Sequence, residues 1–424
     1  MQRPGKNIVD EALAEFLNMV GWRRELHAHP ELSFEEFRTS DYIAGVLAEN
    51  GIACEKVAGT GVLARITGEG IAGDGVNTVN LRGGSNPEGG ASDSPVKRAV
   101  VLRADIDALP VGEDTGLEFA SLNKGVMHAC GHDMHTAILL GAMVVLNRHR
   151  KEFSGTVFGL FQPGEELNPG GASLVLKEDL FRGYDIVAFV GEHVEPLMET
   201  GRFGFRAGQY MAASDELRFT VTGTGGHAAM RDKLKDPVQA AAAFVTALHR
   251  LRQAAEDAGR RTVISVGRFI AEGATNVVPG TVYLEGTMRT FDEGWRAELK
   301  GLIRSEALSL GEAYGVDIAV DISDGYPAVY NSPELTEKVK NAAESLWGND
   351  AVEELGLRNT SDDFGFYSRL YPSVYYRLGV GGSGAFFSEA RAGKVHTPTF
   401  MPDEKALGYG VAQFVNIVYT LLGN

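Results

Sequence analysis

Apolar residues recur at helical spacing from residue 8 to about 27, with Ala12, Phe16, Met19, Val20 and Trp22 on or near one face, which predicts an amphipathic helix. Pro30 breaks that pattern, and Ser33 is placed to start a second helix running to about Asn50 and ending at Gly51. Residues 61–66 read as a strand. Residues 68–97 are rich in Gly, Ser, Asn and Asp with little apolar content, which predicts a long surface loop. Three strands with continuous apolar runs follow, at about 98–104, 155–162 and 185–194, each patterned for burial on both faces. Between the first two, Ala137, Leu140, Gly141, Val144 and Val145 mark a helix for which Asp133 is the expected N-cap. Gly170-Gly171-Ala172 opens another.

The pattern changes near residues 201–211. Residues 217–222 alternate like a half-buried strand, and an alanine-rich helix is expected at 237–253. Strands at 262–270 and 281–289, a helix at 292–314 and a strand at 316–322 complete an antiparallel α+β set. From Ser332 helix and strand alternate again, with a strand at 375–379 and a last helix at about 403–422. The expected fold is α/β: a doubly wound, mixed-sheet domain formed by residues 1–205 and 324–424, with an α+β domain inserted at 206–323.

At 424 residues the chain can bury about two to three cores. A formal net charge of −16 argues against nucleic acid and anionic membrane as partners. No run is long and apolar enough to span a bilayer, and the N-terminus lacks an apolar signal core, so a soluble, cytoplasmic protein is expected. With two cysteines only, Cys54 and Cys130, reduced thiols are expected rather than a disulfide framework.

The candidate chemistry gathers around Cys130-Gly131-His132-Asp133 with His135 just behind, a thiol, imidazoles and a carboxylate in one short turn. Thiolate and neutral imidazole are good ligands for a borderline metal such as zinc, and a helix N-terminus favours the thiolate. Other acids and an imidazole stand at the ends of the apolar strands: Asp105 and Asp107 after the first, Glu165-Glu166 after the second, His193 on the third. Open α/β sheets bind ligands along that edge. Asp105 and Asp107 suit a role in orienting metal-binding side chains. The adjacent glutamates suit a division of labour in which one holds an ion and the other takes a proton from water. His27 and His29, in a helix-breaking turn, are read as packing or capping groups. His227, in a Gly-rich turn, is accessible for a functional role, and Asn276 and Arg289 could bind a carboxylate.

Taken in order, Cys130-Gly131-His132-Asp133, Glu165-Glu166, Gly225-Gly226-His227-Ala228-Ala229, Asp362-Asp363-Phe364 and His396 resemble the aminoacylase/carboxypeptidase-like metallopeptidase family. More narrowly they are similar to its amidohydrolase branch of N-acyl-amino-acid, hippurate and auxin-conjugate hydrolases. The resemblance runs from Arg24-Glu25-Leu26-His27 through Asn276-Val277-Val278-Pro279 to His396. It implies a metallohydrolase domain with an inserted lid domain that also dimerises, one or two divalent ions (zinc or manganese), and a small carboxylate substrate. It implies Cys130, His132, Glu166, His193 and His396 as metal ligands, Cys130 bridging, and Glu165 as general base. His227 then stabilises the developing oxyanion, often from a partner subunit, with Asn276 and Arg289 near the substrate carboxylate. Where the family usually has Pro-His after Gly-Gly-His-Ala-Ala-Met, this chain has Arg231-Asp232, which puts Arg231 among the substrate-facing residues.

The implied reaction is hydrolysis of a C–N bond: the ion acidifies a water, Glu165 removes its proton, and the nitrogen departs with that proton. An amide of an amino acid is the first expectation. Hydrolytic deamination of an aromatic amine, as in nitroanthranilate aminohydrolases, is the alternative that Arg231-Asp232 raises. A non-catalytic binding protein on the same fold is a third reading, set against by the complete set of motif residues.

Overall fold

The strands whose ends carry the candidate chemistry form the middle of one sheet. In the computed structural model, which describes residues 5–70, 97–384 and 393–423, the first elements are helices α1 (Gly5–Ala14), α2 (Phe16–Ala28) and α3 (Phe37–Glu49). Strands β1 (Ala53–Val57), β2 (Gly61–Thr67) and β3 (Lys97–Asp105), helix α4 (His132–Arg148), and strands β4 (Thr156–Gln162) and β5 (Tyr184–Glu195) follow. Of the loop expected at 68–97, residues 71–96 lie outside the described residues, and Lys97 already belongs to β3.

The sheet has eight strands in the order β1, β2, β4, β3, β5, Ser373–Gly379, Phe203–Phe205, Val352–Glu354. β3 runs parallel to both β4 and β5, and β5 parallel to Ser373–Gly379, whereas β1–β2 and β2–β4 are antiparallel. The sheet is therefore mixed, with a parallel centre. That explains the continuous apolar runs: every residue of β4 is buried, as are seven consecutive residues of β3. Helix α4 is buried from His132 to Leu146, and α2 and the helix Ala406–Leu422 pack on it. A helix apolar all round belongs inside a core, not on a surface.

The chain divides into two compact units, Met1–Gly208 with Asn331–Leu355 and Tyr367–Asn424, and Gln209–Tyr330 with Gly356–Phe366. These limits fall a few residues from those read in the sequence, and the second unit gains the segment Gly356–Phe366. Taken by itself, the second unit holds a four-stranded antiparallel sheet in the order Thr262–Ile270, Thr281–Thr290, Ala213–Thr222, Asp317–Ile322. Helices Pro237–Asp257 and Glu293–Tyr314 share its core, where Phe219, Phe244, Leu248, Leu284, Leu299 and Ile303 meet. Among the described residues no helix is long and apolar enough to cross a membrane.

Local structure departs from the sequence reading in three places. The first helix is interrupted at Glu15, whose carboxylate is tied to Arg148. The second begins at Phe37, not Ser33, because Phe34 takes a left-handed backbone (φ 66°) and the Ser33 hydroxyl is spent on Asp107. Asp133 is not the N-cap of α4. That position is Gly131 at φ 90°, a conformation glycine adopts without strain, while the Asp133 carboxylate turns to Arg23 and His27.

Candidate metal centre

Gly131 reverses the chain so that Cys130 and His132 face one point, at the carboxyl ends of β4 and β5. Cys130 Sγ lies 3.4 Å from His193 Nε2 and 3.3 Å from His396 Nε2. Glu166 Oε1 lies 3.1 Å from His396 Nε2 and 4.0 Å from His132 Nε2. Donors sharing an ion at about 2.0–2.3 Å stand roughly 3–4 Å from one another, so this spacing is that of a coordination shell. Glu165, nearly buried, has a carboxylate oxygen within 4.8 Å of donor atoms of His132 and Glu166. The structure thus brings Cys130, His132, Glu165, Glu166, His193 and His396 together.

The imidazoles are held so that Nε2 is the atom presented. His132 donates from Nδ1 to the Asp107 carbonyl (2.9 Å) and carboxylate (3.2 Å), and His193 donates from Nδ1 to the Val194 carbonyl (2.7 Å). A proton fixed on Nδ1 leaves the Nε2 lone pair free for an ion. His132 Nε2 is buried without a hydrogen-bond partner among the described residues, an arrangement that costs free energy unless something polar fills it. His396 sits in the left-handed region at φ 63°, with its N–H bonded to the Ala129 carbonyl at 2.7 Å. Strain of that kind persists only where surrounding contacts impose it.

Charge makes the same demand. Burial alone would lower His132, yet the Asp105 carboxylate and the hydrogen bond to Asp107 outweigh it and hold its pKa well above the ordinary value. His396 is raised to about 10 by its hydrogen bonds to the Cys130 sulfur and to Glu166. Burial and the Glu166 carboxylate push the Cys130 thiol up. A cluster this rich in lone pairs retains protons, and a divalent cation answers the same need by displacing them. The donor set therefore fits a metal ion.

Asp107 ties two donors together: one carboxylate oxygen faces His132 Nδ1, and the other accepts the Glu166 N–H at 3.0 Å. Asp105 instead meets His135 (2.6 Å) and Arg103 (2.5 Å), and stands 3.7 Å from His132 Nε2. His135 belongs to the candidate turn read in the sequence, but it meets Asp105 rather than the donor cluster, and Arg103 has no role in that reading. His135 is fully buried, donates to Asp105 and accepts the Val194 N–H at 3.0 Å, so it braces Val194, the residue whose carbonyl accepts from His193. Burial lowers its pKa and keeps it neutral. His128, the remaining imidazole of the turn, is pushed down to about 4 by burial.

His27 and His29 are not among the donors. His29 bonds the Glu25 carbonyl, and the buried His27 lies 2.9 Å from Asp133 and 3.3 Å from Glu113. Burial would lower His27, but the hydrogen bond and charge of Asp133 outweigh it and raise the pKa to about 8. A histidine whose folded pKa exceeds its unfolded value of about 6.5 stabilises fully below that value, and the contribution fades as pH rises through 8. The difference amounts to about 2 kcal/mol at most. Urea unfolding is expected to show a loss of stability between pH 6 and pH 9 that shrinks in His27→Gln; an identical loss in both proteins would refute the linkage.

The remaining predicted residues belong to the second unit. His227 ends the short strand Gly226–His227, which pairs with Val277–Val278, and the Ala228 N–H bonds the Asn276 carbonyl at 2.9 Å. His227, Asn276 and Arg231 are exposed on this ribbon and the turn after it. Arg289 lies half-buried on strand Thr281–Thr290, bonded to Thr287 and to the Met288 carbonyl.

Against known proteins, the sequence profile described as Peptidase family M20/M25/M40 matches residues 101–419. An N-acyl-L-amino acid amidohydrolase of Geobacillus stearothermophilus is 36% identical over 330 residues, covering 78% of this chain and 81% of its own. An N-acetyl-L-cysteine deacetylase of Bacillus subtilis is 35% identical over 390 residues, covering 92% of this chain and 84% of its own. Among solved structures, the YXEP protein of Bacillus subtilis, described as a dinuclear metal-binding peptidase, superposes with a TM-score of 0.77 at 29% identity, covering 96% of this chain and 99% of that one.

Proposed function

The chain belongs to peptidase family M20/M25/M40 and is a hydrolase acting on carbon–nitrogen bonds; from that premise we propose that it cleaves the amide of an N-acyl amino acid to a carboxylic acid and a free amino acid. The observation that carries this reading is the meeting of Cys130, His132, Glu166, His193 and His396 beside the separate carboxylate of Glu165. The names of the Geobacillus and Bacillus relatives, both concerned with an acyl group on an amino acid nitrogen, support the substrate class.

The five donors would hold one or two divalent ions; thiolate and imidazole suit zinc, and the carboxylate also admits manganese. An ion so held supplies Lewis acidity toward a carbonyl oxygen and a water. Glu165 takes the proton of the attacking water and returns it to the departing nitrogen, a single carboxylate serving both transfers. Asp107 keeps the His132 lone pair and the Glu166 backbone in register while this happens. On the second unit, His227 is the proposed donor to the oxygen that gains charge, and Asn276, Arg289 and Arg231 are the proposed contacts for the substrate carboxylate. Homodimerisation and a cytoplasmic location belong to the same proposal.

Two assays test it together. Purified holoenzyme is incubated with N-acetyl and N-benzoyl amino acids, reading free amino acid, and with aminobenzoates, reading ammonia. Amino acid release that stops on chelation and returns with zinc or manganese is expected. Ammonia from the aminobenzoates without amide turnover would overturn the substrate assignment in favour of an arylamine.

A further inference from the structure

The segment Ser33–Glu36, expected from its sequence to open a helix, instead reaches one turn from three directions. The Ser33 hydroxyl donates to Asp107 Oδ2 at 2.7 Å, the same oxygen that accepts the Glu166 N–H. The Phe34 ring closes over Gly164, where an added Cβ would come within 2.3 Å of it. Glu36 is fully buried; its Oε1 accepts the Gly164 N–H at 2.8 Å and its Oε2 the Thr60 hydroxyl at 2.5 Å. Gly164, at φ 59°, immediately precedes Glu165.

A carboxylate is an expensive group to bury, and an apolar side chain would fill the same space at less cost. Burial accordingly raises the pKa of Glu36. What an apolar side chain cannot do is accept the Gly164 N–H. Glycine visits both signs of φ with little preference, so a Pro-Gly peptide left to itself can turn its N–H either way. Each orientation sends the next side chain, Glu165, in a different direction. A charge-assisted acceptor on one side selects a single orientation.

We propose that Glu36 is the positioning residue of the Pro163–Glu166 turn, fixing the Gly164 peptide so that the Glu165 carboxylate points at the attacking water. Ser33 and Phe34 complete the clamp, one through Asp107 and the other by filling the space beside Gly164. The inference rests on Glu165 being the general base.

The test uses metal-loaded, full-length Glu36→Ala, Glu36→Gln and Glu165→Gln with an N-acetyl amino acid. In Glu36→Ala, kcat is expected to fall about 10- to 100-fold, the order that misplacing a reacting group by an ångström costs, with KM and metal per chain unchanged. Glu36→Gln should recover to within about threefold, because its amide oxygen still accepts the Gly164 N–H and its amide nitrogen can donate to Thr60. If Glu36→Ala does not fold, Glu36→Asp carries the test, since its carboxylate is one methylene short of Gly164, and a kcat fall of about tenfold is expected. Unchanged kcat in the Ala or Asp variant, with only the melting midpoint moved, overturns the proposal. Retained turnover in Glu165→Gln overturns the reading beneath it, whatever the Glu36 variants do.

Discussion

Glu165→Gln is expected to lower kcat by about 10²–10⁴-fold, the range that a positioned general base contributes, while metal content stays at the wild-type value. The substitution keeps side-chain length and shape at a nearly buried position, so the turn after β4 should hold. It removes only the capacity to accept a proton. Glu166, its neighbour, cannot take over: its N–H is fixed on Asp107, and its carboxylate faces His132 and His396 within the donor cluster. Steady-state kinetics with metal analysis on the same preparation decides the matter. A variant that turns over within tenfold of wild type with full metal would remove Glu165 as the base. A variant that also loses metal would place Glu165 among the ligands.

The place of the adjacent glutamates at the end of β4 was legible in the sequence, and the reason is geometric. β3, β4 and β5 are buried parallel strands, so their apolar runs announce them, and whatever polar residues follow must lie at the sheet's carboxyl edge. Asp107, Glu165, Glu166 and His193 could be found that way, and Cys130 and His132 by the glycine between them. His396 could not, because a lone histidine two residues before a proline carries no local signal; only the order of motifs pointed to it. The contacts of Asp133, Glu36 and His135 were hidden for a related reason. Asp133 looked like a cap because capping is a local habit of aspartate, whereas its real partner, Arg23, lies 110 residues earlier. Glu36 and Gly164 are separated by 128 residues. Periodicity reads neighbours along the chain, and these contacts exist only once the sheet has brought its ends together.

The Asp133 contact also supports the second large effect. Arg23 is 1% exposed and its Nε lies 2.8 Å from Asp133 Oδ2, which His27 also approaches at 2.9 Å; Arg23 continues to Glu404 at 3.0 Å. Burial would raise the Asp133 carboxyl, but Arg23 and His27 hold it far below the usual carboxylate range. This network joins α2 to the first turn of α4, directly behind His132. Asp133→Ala leaves a guanidinium and an imidazole buried beside an empty space, a type of change that costs about 3–5 kcal/mol. Replacing both partners, as in Arg23→Met with Asp133→Leu, should recover most of that loss, because no uncompensated charge remains. Urea unfolding of metal-free protein at neutral pH measures both, since bound ion would otherwise mask the difference by mass action. If Asp133→Ala unfolded within about 0.5 kcal/mol of wild type, the ordinary scatter of a surface substitution, the network would not hold α2 to the first turn of α4. If the double variant were the worse of the two, the ion pair itself, rather than the avoidance of a stranded charge, would be what stabilises that turn.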